Sequence, residues 1–255
     1  MNPKSIAISK EISKDVRKLN GNGDFRSDEC IELLKQADIV VTNPPFSLFR
    51  EYVKVLMDNN KDFVILGNMN AIKCKEVFPY IKENRIGLGY HLNGDKTFKT
   101  PAGTEQKFGN IFWYTTLPIA KHNDKLILYK HYTPEEFPKY DNYDAINVDK
   151  TCDIPYDYDG AMGVPISFIE KYNPQQFEIL GQTSGRFEFG IGPTVKYENT
   201  LQNNPDGTTS NGSKINTAPC LLFKDKPADK VYYTASNREG YIKQLYIRIL
   251  IRKRK

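Results

Sequence analysis

The chain has 255 residues, of which 39% are hydrophobic and 26% are charged, a balance typical of a folded domain with its own core. No apolar run approaches about eighteen residues, so the sequence predicts no membrane span. The formal net charge is +5, and the last eight residues hold five basic side chains and no acidic one. A basic terminus suits the phosphates of a nucleic acid, although for a chain end alone a solvated tail is the more economical interpretation.

Cysteines and histidines are few and widely spaced: Cys30, Cys74, Cys152, Cys220, His91, His122 and His131. No two cysteines form a Cys-x-x-Cys pair, and no histidine stands near them at a metal-ligand spacing. We therefore expect reduced thiols, as in a cytoplasmic protein, and no metal site. Charged residues are mixed through positions 1–23, which excludes the uninterrupted apolar core of a signal peptide.

The most informative stretch covers residues 37–52, ADIVVTNPPFSLFREY. Ile39–Thr42 are β-branched and uncharged, which predicts a short buried strand. Two consecutive prolines then remove two backbone donors and fix two φ angles, so the strand must end there. A helical pattern follows over 47–58, with Phe49 and Tyr52 on its apolar face. Because open α/β sheets bind ligands at the carboxyl ends of their strands, this corner has the geometry of a site.

Helical and strand patterns alternate on both sides of this stretch, which predicts an α/β fold. Ser27 is a suitable N-cap for a helix over 27–36. A second buried strand over 62–66 ends at the same edge of the sheet as Asn43 if the crossover is right-handed. Weaker patterns predict helices within 1–20 and near 73–83, and strands at 86–90 and 109–117.

The second half of the chain has few long periodic segments, so we expect short elements separated by loops. The predicted elements are strands at 126–129 and 177–181, a short helix at 167–172 and a strand at 244–252 whose apolar residues alternate. The polar run 202–216 has no apolar anchor for several residues, and it predicts an exposed mobile loop.

The tetrapeptide Asn43-Pro44-Pro45-Phe46 resembles the [Asp/Asn/Ser]-Pro-Pro-[Phe/Tyr/Trp] motif of methyltransferases that modify exocyclic amino groups. The strand predicted before it and the helix predicted after it are the context that this motif requires. The alternative is a rigid strand-to-helix corner in another kind of α/β protein, and it leaves the pattern without a function.

The resemblance extends to longer segments: GDFRSDECIELLKQADIVVTNPPFSLFREYV, KYDNYDAINVDK, IPYDYDGAMGVPISFIEKYNPQQFEILG and YIRILIRKRK. These segments are similar to the adenine-specific DNA methyltransferases of the EcoRI type, from about residue 23 onward. The resemblance implies a restriction-modification enzyme of a bacterial or phage cytoplasm, with S-adenosylmethionine as methyl donor, no metal and a flipped adenine of duplex DNA as acceptor. It also implies a partial Rossmann-like methyltransferase sheet in residues 1–120 and a C-terminal α+β target-recognition region in 121–255.

The resemblance assigns the catalytic site to Asn43, Pro44, Pro45 and Phe46. Adenine N6 is a poor nucleophile, and the Asn43 side-chain oxygen with the Pro44 carbonyl can accept both of its hydrogens where charge develops. Phe46 is expected to stack on the flipped base. Phe49 is a second wall of the base pocket or a core residue, and the sequence leaves both open.

The resemblance also assigns donor binding to Asp24, Phe25 and Asn43. Asp24 is expected to accept from the donor's amino group and Phe25 to pack on its ring, although an aspartate in a Gly-rich turn is common without any ligand. DNA phosphates are expected to contact Arg248, Arg252, Lys253 and Arg254, and Phe46 adds a contact to the base.

The chain departs from the family upstream of Asp24, where no strand ends in a Gly-rich loop for the donor's methionine portion. We therefore expect a catalytic core that is incomplete at its N-terminus and whose partner is a separate N-terminal fragment. Two alternatives remain open: an inactive or split-enzyme DNA-binding fragment, and a methyltransferase of the NPPF type acting on RNA or on protein glutamine.

Overall fold

The computed structural model describes residues 18–89, 97–100, 102–107, 110–184 and 189–254, and it shows a mixed α/β fold with several sheets and few helices. The helical pattern over residues 1–20 lies outside these ranges except for its last three positions. Within the ranges described, no helix is long and apolar enough to cross a membrane.

The helices are α1 (Asp28–Gln36), α2 (Phe49–Asp58) and α3 (Phe78–Lys82). The strands of the first half are β1 (Ile39–Thr42), β2 (Asp62–Asn68), β3 (Gly87–Leu88), β4 (Thr97–Lys99), β5 (Glu105–Lys107) and β6 (Ile111–Thr115). Those of the second half are β7 (Ile146–Asn147), β8 (Met162–Val164), β9 (Phe177–Gln182), β10 (Leu201–Asn203), β11 (Thr209–Asn211), β12 (Cys220–Phe223), β13 (Tyr232–Ala235), β14 (Arg238–Gln244) and β15 (Ile249–Lys253).

The first sheet has the order β1-β2-β6-β3. Strands β1 and β2 are parallel, with Thr42 opposite Ile65, whereas β6 is antiparallel to β2 and β3. The carboxyl ends of β1 and β2 therefore lie at the same edge, as the sequence predicts. The capped helix is also confirmed, because the Ser27 side chain accepts a hydrogen bond from the Cys30 amide, 3.3 Å away, at the start of α1.

Strand β1 is less buried than its sequence predicts. The side chains of Ile39 and Val41 are 47% and 69% exposed, and Val40 and Thr42 are half-buried. Among the described strands, β1 pairs with β2 alone, so it lies at the edge of the sheet. The prediction of a buried strand is wrong because burial depends on neighbours that the four residues do not specify.

Helix α2 covers one face of this sheet with Phe49, Val53 and Leu56. The Phe49 ring is 3% exposed and its centroid lies 5.0 Å from that of Tyr114 on β6. A Cβ atom at Gly67 would stand 2.4 Å from the Phe49 ring, so the glycine makes this close approach possible. Phe49 is thus a core residue and not a wall of a base pocket.

The second half contains two sheets, one of four strands and one of five. One has the order β7-β8-β15-β9, and the other has the order β11-β10-β13-β14-β12. The predicted strand over 244–252 is two strands, because β14 ends at Gln244 and β15 begins at Ile249. Strict alternation is the wrong expectation for β15, because the main core buries Ile249 and Ile251 on one face while a second cluster buries Leu250 on the other.

Two further predictions for this half are wrong. Residues 126–129 form no strand, and only Lys130 makes an isolated bridge, to Pro155. The predicted loop over 202–216 contains a hairpin of β10 and β11. Its turn is held by the Asp206 carboxylate, which accepts from the Thr208 amide and hydroxyl, and by Gly207 at φ +83°.

One cluster of buried side chains joins the two halves, extending from Phe49 and Phe63 to Phe177 and Ile251. Polar contacts cross the same boundary. The Lys82 ammonium donates to the Leu180 carbonyl, 2.8 Å away, and the Gln182 side-chain amide donates to the Lys73 carbonyl, 3.2 Å away. The first sheet therefore rests on the second half of the chain, and β1 is its edge strand among the residues described.

Candidate active site

A cavity of about 390 Å³ opens at the carboxyl end of β1. Its lining residues come from the turn before α1, from the end of β1 and from the start of α2: Asn22, Gly23, Asp24, Phe25, Thr42, Asn43, Pro44, Pro45, Leu48 and Tyr52. The volume lies within the range of about 300–1,000 Å³ that small-molecule sites occupy. Two segments that the sequence assigns separately, 24–25 and 43–45, thus border one space.

The Asn43-Pro44-Pro45-Phe46 corner leaves the sheet as the two prolines require. Asn43 is exposed and lines the cavity, Pro44 is buried, and the Pro45 carbonyl accepts a hydrogen bond from the Leu48 amide, 3.0 Å away. Phe46 begins a 3₁₀ turn, is 41% exposed and does not line the cavity. Asn43 therefore borders the cavity, whereas Phe46 does not.

The Asp24 carboxylate is paired with Arg26. Arg26 Nε donates to Asp24 Oδ1 at 3.0 Å, and Arg26 Nη2 donates to Oδ2 at 2.7 Å. The Arg26 backbone amide also donates to Oδ1, at 2.9 Å. These hydrogen bonds, first from the side chain and then from the backbone of Arg26, lower the pKa of Asp24 to about 2, so the cavity is bordered by an ionised carboxylate at neutral pH.

Phe25 and Tyr52 form the aromatic part of the lining. Their ring centroids are 5.0 Å apart and their planes meet at 83°, the edge-to-face arrangement that aromatic pairs favour. Burial raises the pKa of the Tyr52 hydroxyl. The sequence places Tyr52 only on the apolar face of a helix, three residues after the core Phe49, and that pattern does not distinguish a residue of the site from a core residue.

A second anchor holds the Gly-rich turn before Asp24. The Glu29 carboxylate, in the first turn of α1, accepts from the Asn20 and Gly21 amides at 3.0 Å each. These backbone hydrogen bonds lower the pKa of Glu29. The turn that carries Asp24 and Phe25 is therefore fixed to the helix that follows it.

Comparison with known proteins identifies the family. A family model described as adenine-specific methyltransferase EcoRI matches residues 2–254. The chain belongs to this family. The resemblance seen in the sequence is thereby confirmed.

Three curated type II methyltransferases align with the chain. It is 51% identical over 178 residues to the type II methyltransferase M.EcoRI of Escherichia coli, covering 63% of this chain and 55% of the relative. It is 42% identical to M.MgeORF184P of Mycoplasma genitalium, covering 64% and 57%, and 38% identical to M.MpnI of Mycoplasma pneumoniae, covering 64% and 57%. The chain thus spans a little over half the length of these relatives, and no solved structure matches it.

The basic residues near the C-terminus of this methylase-family chain lie away from the cavity lining. Arg248 donates to Asp149 at 3.1 Å and its side chain is 11% exposed. The Lys253 ammonium donates to the Tyr156 carbonyl, and Arg254 Nε donates to the Pro174 carbonyl at 2.8 Å. Arg252 and Arg254 are both exposed, whereas Lys253 is half-buried.

Metal ligands do not cluster in the part of the chain that the structure describes. No group of three or more His, Cys, Asp or Glu side chains there could hold a metal ion. The four cysteines are free thiols, as expected, and Cys220 is the buried one.

Proposed function

We propose that this chain carries the catalytic part of a DNA methyltransferase that transfers a methyl group from S-adenosylmethionine to adenine N6. The observation that carries this proposal is the convergence of Asp24, Phe25 and Asn43 on one cavity at the carboxyl end of a parallel strand. Membership of the EcoRI methylase family supports the same chemistry. The relatives share only part of their length with this chain, so the activity is proposed for it and not transferred from their names.

The lining of the cavity fits the purine end of the donor. Asp24 offers an ionised acceptor for an exocyclic amino group, while Phe25 and Tyr52 offer aromatic surface for a ring. When bound, S-adenosylmethionine supplies an electrophilic methyl group on a sulfonium centre. Asp24 is the one charged side chain among the residues known to line the cavity, so its lining holds no cation for the donor's methionine carboxylate.

Asn43 and Pro44 are the residues proposed to act on the acceptor. The Asn43 side-chain oxygen and the Pro44 carbonyl accept the two N6 hydrogens, which favours a pyramidal nitrogen with an available lone pair. That lone pair forms the new N–C bond as the S–C bond of the donor breaks, and the extra N6 proton leaves afterwards. Alignment of the reacting atoms at about 3–3.5 Å supplies much of the remaining rate enhancement.

Phe46 is proposed to hold the target base. Adenine N6 is inaccessible within a duplex, so the nucleotide must be flipped out of the stack. The exposed Phe46 ring offers a stacking surface of the kind that contributes about 1–3 kcal/mol per base. Asn43 borders the donor cavity three residues before Phe46, and the methyl group is proposed to cross there.

The division of the chain into two regions is also proposed from its membership of the family. We take the sheet β1-β2-β6-β3 as part of a Rossmann-like methyltransferase sheet, with residues 1–120 as the catalytic region and 121–255 as the target-recognition region. Arg252 and Arg254 are proposed to contact DNA phosphates, with lesser contributions from Arg248 and Lys253, whose side chains are only 11% and 15% exposed.

The exposed β1 edge favours a split enzyme as the working form. Val41 is 69% exposed on a strand of apolar residues, which is the surface of an open sheet that another strand and helix would cover. We propose that a separate N-terminal fragment supplies them together with the missing donor contacts, in the cytoplasm of a bacterium or phage-infected cell.

Incubation with methyl-labelled donor and duplex DNA, RNA or protein tests this function. We expect label in N6-methyladenine of duplex DNA and in neither of the other acceptors. Label confined to protein glutamine or to RNA would replace the DNA assignment. A DNA affinity that does not change between low and moderate salt would remove the proposed phosphate contacts.

A further inference from the structure

Arg26 joins the two walls of the candidate donor cavity. Its guanidinium holds both oxygens of Asp24, at 3.0 and 2.7 Å, and its Nη1 donates to Glu51 Oε2 at 2.7 Å. Glu51 lies in the first turn of α2, directly before Tyr52. One side chain thus connects the turn before α1 with the helix that follows the catalytic corner.

The same guanidinium also orients the ring of Phe25. The Arg26 Cζ atom lies 5.4 Å from the centroid of Phe25, within the distance at which a cation interacts with an aromatic face. Phe25 in turn meets Tyr52 edge to face. Displacement of Arg26 would therefore change the positions of the carboxylate and the ring together.

The hydrogen bonds from Arg26 leave part of the accepting capacity of the Asp24 carboxylate for a ligand. An ionised carboxylate has about four acceptor positions, two on each oxygen. Arg26 fills both positions on Oδ1, through its backbone amide at 2.9 Å and its Nε at 3.0 Å, and one position on Oδ2 through Nη2. One acceptor position on Oδ2 is left by this arrangement, which is enough for a single N–H.

This network contributes little to folding, because all three side chains are substantially exposed. Its effect is geometric. A carboxylate held at both oxygens cannot rotate away from a ligand, and a carboxylate that stays ionised cannot donate a hydrogen bond to a carbonyl. Such a group accepts from an amino group and repels an oxo group at the same place.

We propose that Arg26, braced by Glu51, is a positioning residue that makes the cavity selective for a purine bearing a 6-amino group over a 6-oxo purine. This inference rests on the proposed function, since it takes the cavity to be the donor site. It adds two residues, Arg26 and Glu51, that do not touch the reacting atoms and act through Asp24 and Phe25.

Calorimetric titration with two probes tests the inference: S-adenosylmethionine and its counterpart with hypoxanthine in place of adenine. The variants are Arg26→Gln and Glu51→Gln, and the matched control is Lys35→Gln, which removes an exposed ion pair to Glu32 on α1. The melting temperature of each variant is measured alongside, and we expect it to equal that of the wild type.

The wild-type chain is expected to prefer the adenine probe. Arg26→Gln should weaken its binding by about tenfold, the effect of one misplaced charge-assisted hydrogen bond, with little change for the hypoxanthine probe. Glu51→Gln should give a smaller loss and Lys35→Gln none. Donor KM should rise in Arg26→Gln while kcat at saturating donor stays the same.

Three results would overturn the inference, and they are distinguishable. If the wild type binds the adenine probe and Arg26→Gln retains both affinity and selectivity, the positioning role is wrong while the proposed function stands. If the wild type transfers methyl groups but its binding is unaffected by changes at Asp24, Phe25 and Arg26 alike, the donor lies elsewhere. If the wild type, with its N-terminal fragment present, neither binds the donor nor transfers a methyl group, the proposed function is wrong and the inference with it.

Discussion

Phe25 and Tyr52 both line the candidate donor cavity and pack against each other edge to face, with ring centroids 5.0 Å apart. One ring belongs to the turn before α1 and the other to α2, so the contact joins segments that enclose the end of β1. A ligand ring in this cavity would contact both aromatic side chains.

Replacement of Tyr52 by leucine removes the edge-to-face contact while keeping an apolar side chain in the same place. We expect the Kd for S-adenosylmethionine to rise by about two- to tenfold, corresponding to the roughly 0.5–1.5 kcal/mol of such a pair. Calorimetry measures the change, and Tyr246→Leu is the control because Tyr246 is 88% exposed and away from the cavity lining. Equal donor affinity in Tyr52→Leu and the control would exclude Tyr52 from the site.

Phe46→Ala removes the exposed ring that is proposed to hold the flipped adenine. The expected result is a KM for duplex DNA about ten- to a hundredfold higher, in line with about 1–3 kcal/mol of stacking per base, with donor affinity unchanged. Ser47→Ala, at an exposed position in the same turn, is the control. A substrate whose target base is mismatched should recover part of the loss, because less energy is needed to flip it.

Val41→Lys tests the proposal that the β1 edge is covered by a separate fragment. The side chain is 69% exposed, so the substitution should leave the melting temperature of the isolated chain nearly unchanged. Association with a fragment that carries the Gly-rich donor-binding strand should be lost, as measured by co-elution and by gain of donor affinity. Ile127→Lys, at an 87% exposed position, should associate like the wild type. Association of Val41→Lys at wild-type strength would contradict the placement of the fragment.

His122 predicts a specific dependence of stability on pH. Its side chain is 9% exposed, its Nε2 atom is buried without a hydrogen-bond partner, and burial together with the neighbouring Lys121 charge lowers its pKa below 6.5. Because the unfolded state then binds the proton more readily, stability conferred by neutral His122 is present above about pH 6.5 and is lost as the pH falls toward the lower folded-state pKa.

The matching experiment compares the melting temperature at about pH 7.5 and about pH 5.5. The wild type should lose more stability on acidification than His122→Gln does, whereas Asn123→Gln, at the exposed neighbouring position, should behave like the wild type. Identical slopes for wild type and His122→Gln would show that His122 does not carry this pH dependence.

Local chemistry made the strand-to-helix corner at residues 43–46 predictable. Four β-branched residues followed by two prolines specify a strand and its end, and Ser27 specifies the start of α1 through its own side chain. The exposure of β1 was not predictable, since it depends on which strands stand beside it. The pairing of Arg26 with Glu51 was equally hidden, because it joins residues 25 positions apart.

In the second half of the chain, hydrophobic patterns predicted the structure poorly. The hairpin of β10 and β11 is closed by side-chain hydrogen bonds of Asp206 and not by apolar alternation, so a pattern of hydrophobicity overlooks it. Leu250 reads as the outward residue of an alternating strand, yet it is 3% exposed because a second small cluster with Tyr140 and Leu221 covers that face. Periodicity describes one face of a strand and cannot show whether the other face is also covered.

The most direct test of the central claim is the rate of methyl transfer to adenine N6 in duplex DNA by the wild type and by Asn43→Ala, with donor binding measured for both. We expect the wild type, in complex with its fragment where one is required, to form N6-methyladenine. The rate for Asn43→Ala should be about 10²- to 10³-fold lower, because the variant loses one preorganised polar contact in the transition state. Wild-type turnover by a folded Asn43→Ala chain would contradict the assignment of this corner as the place where the methyl group moves.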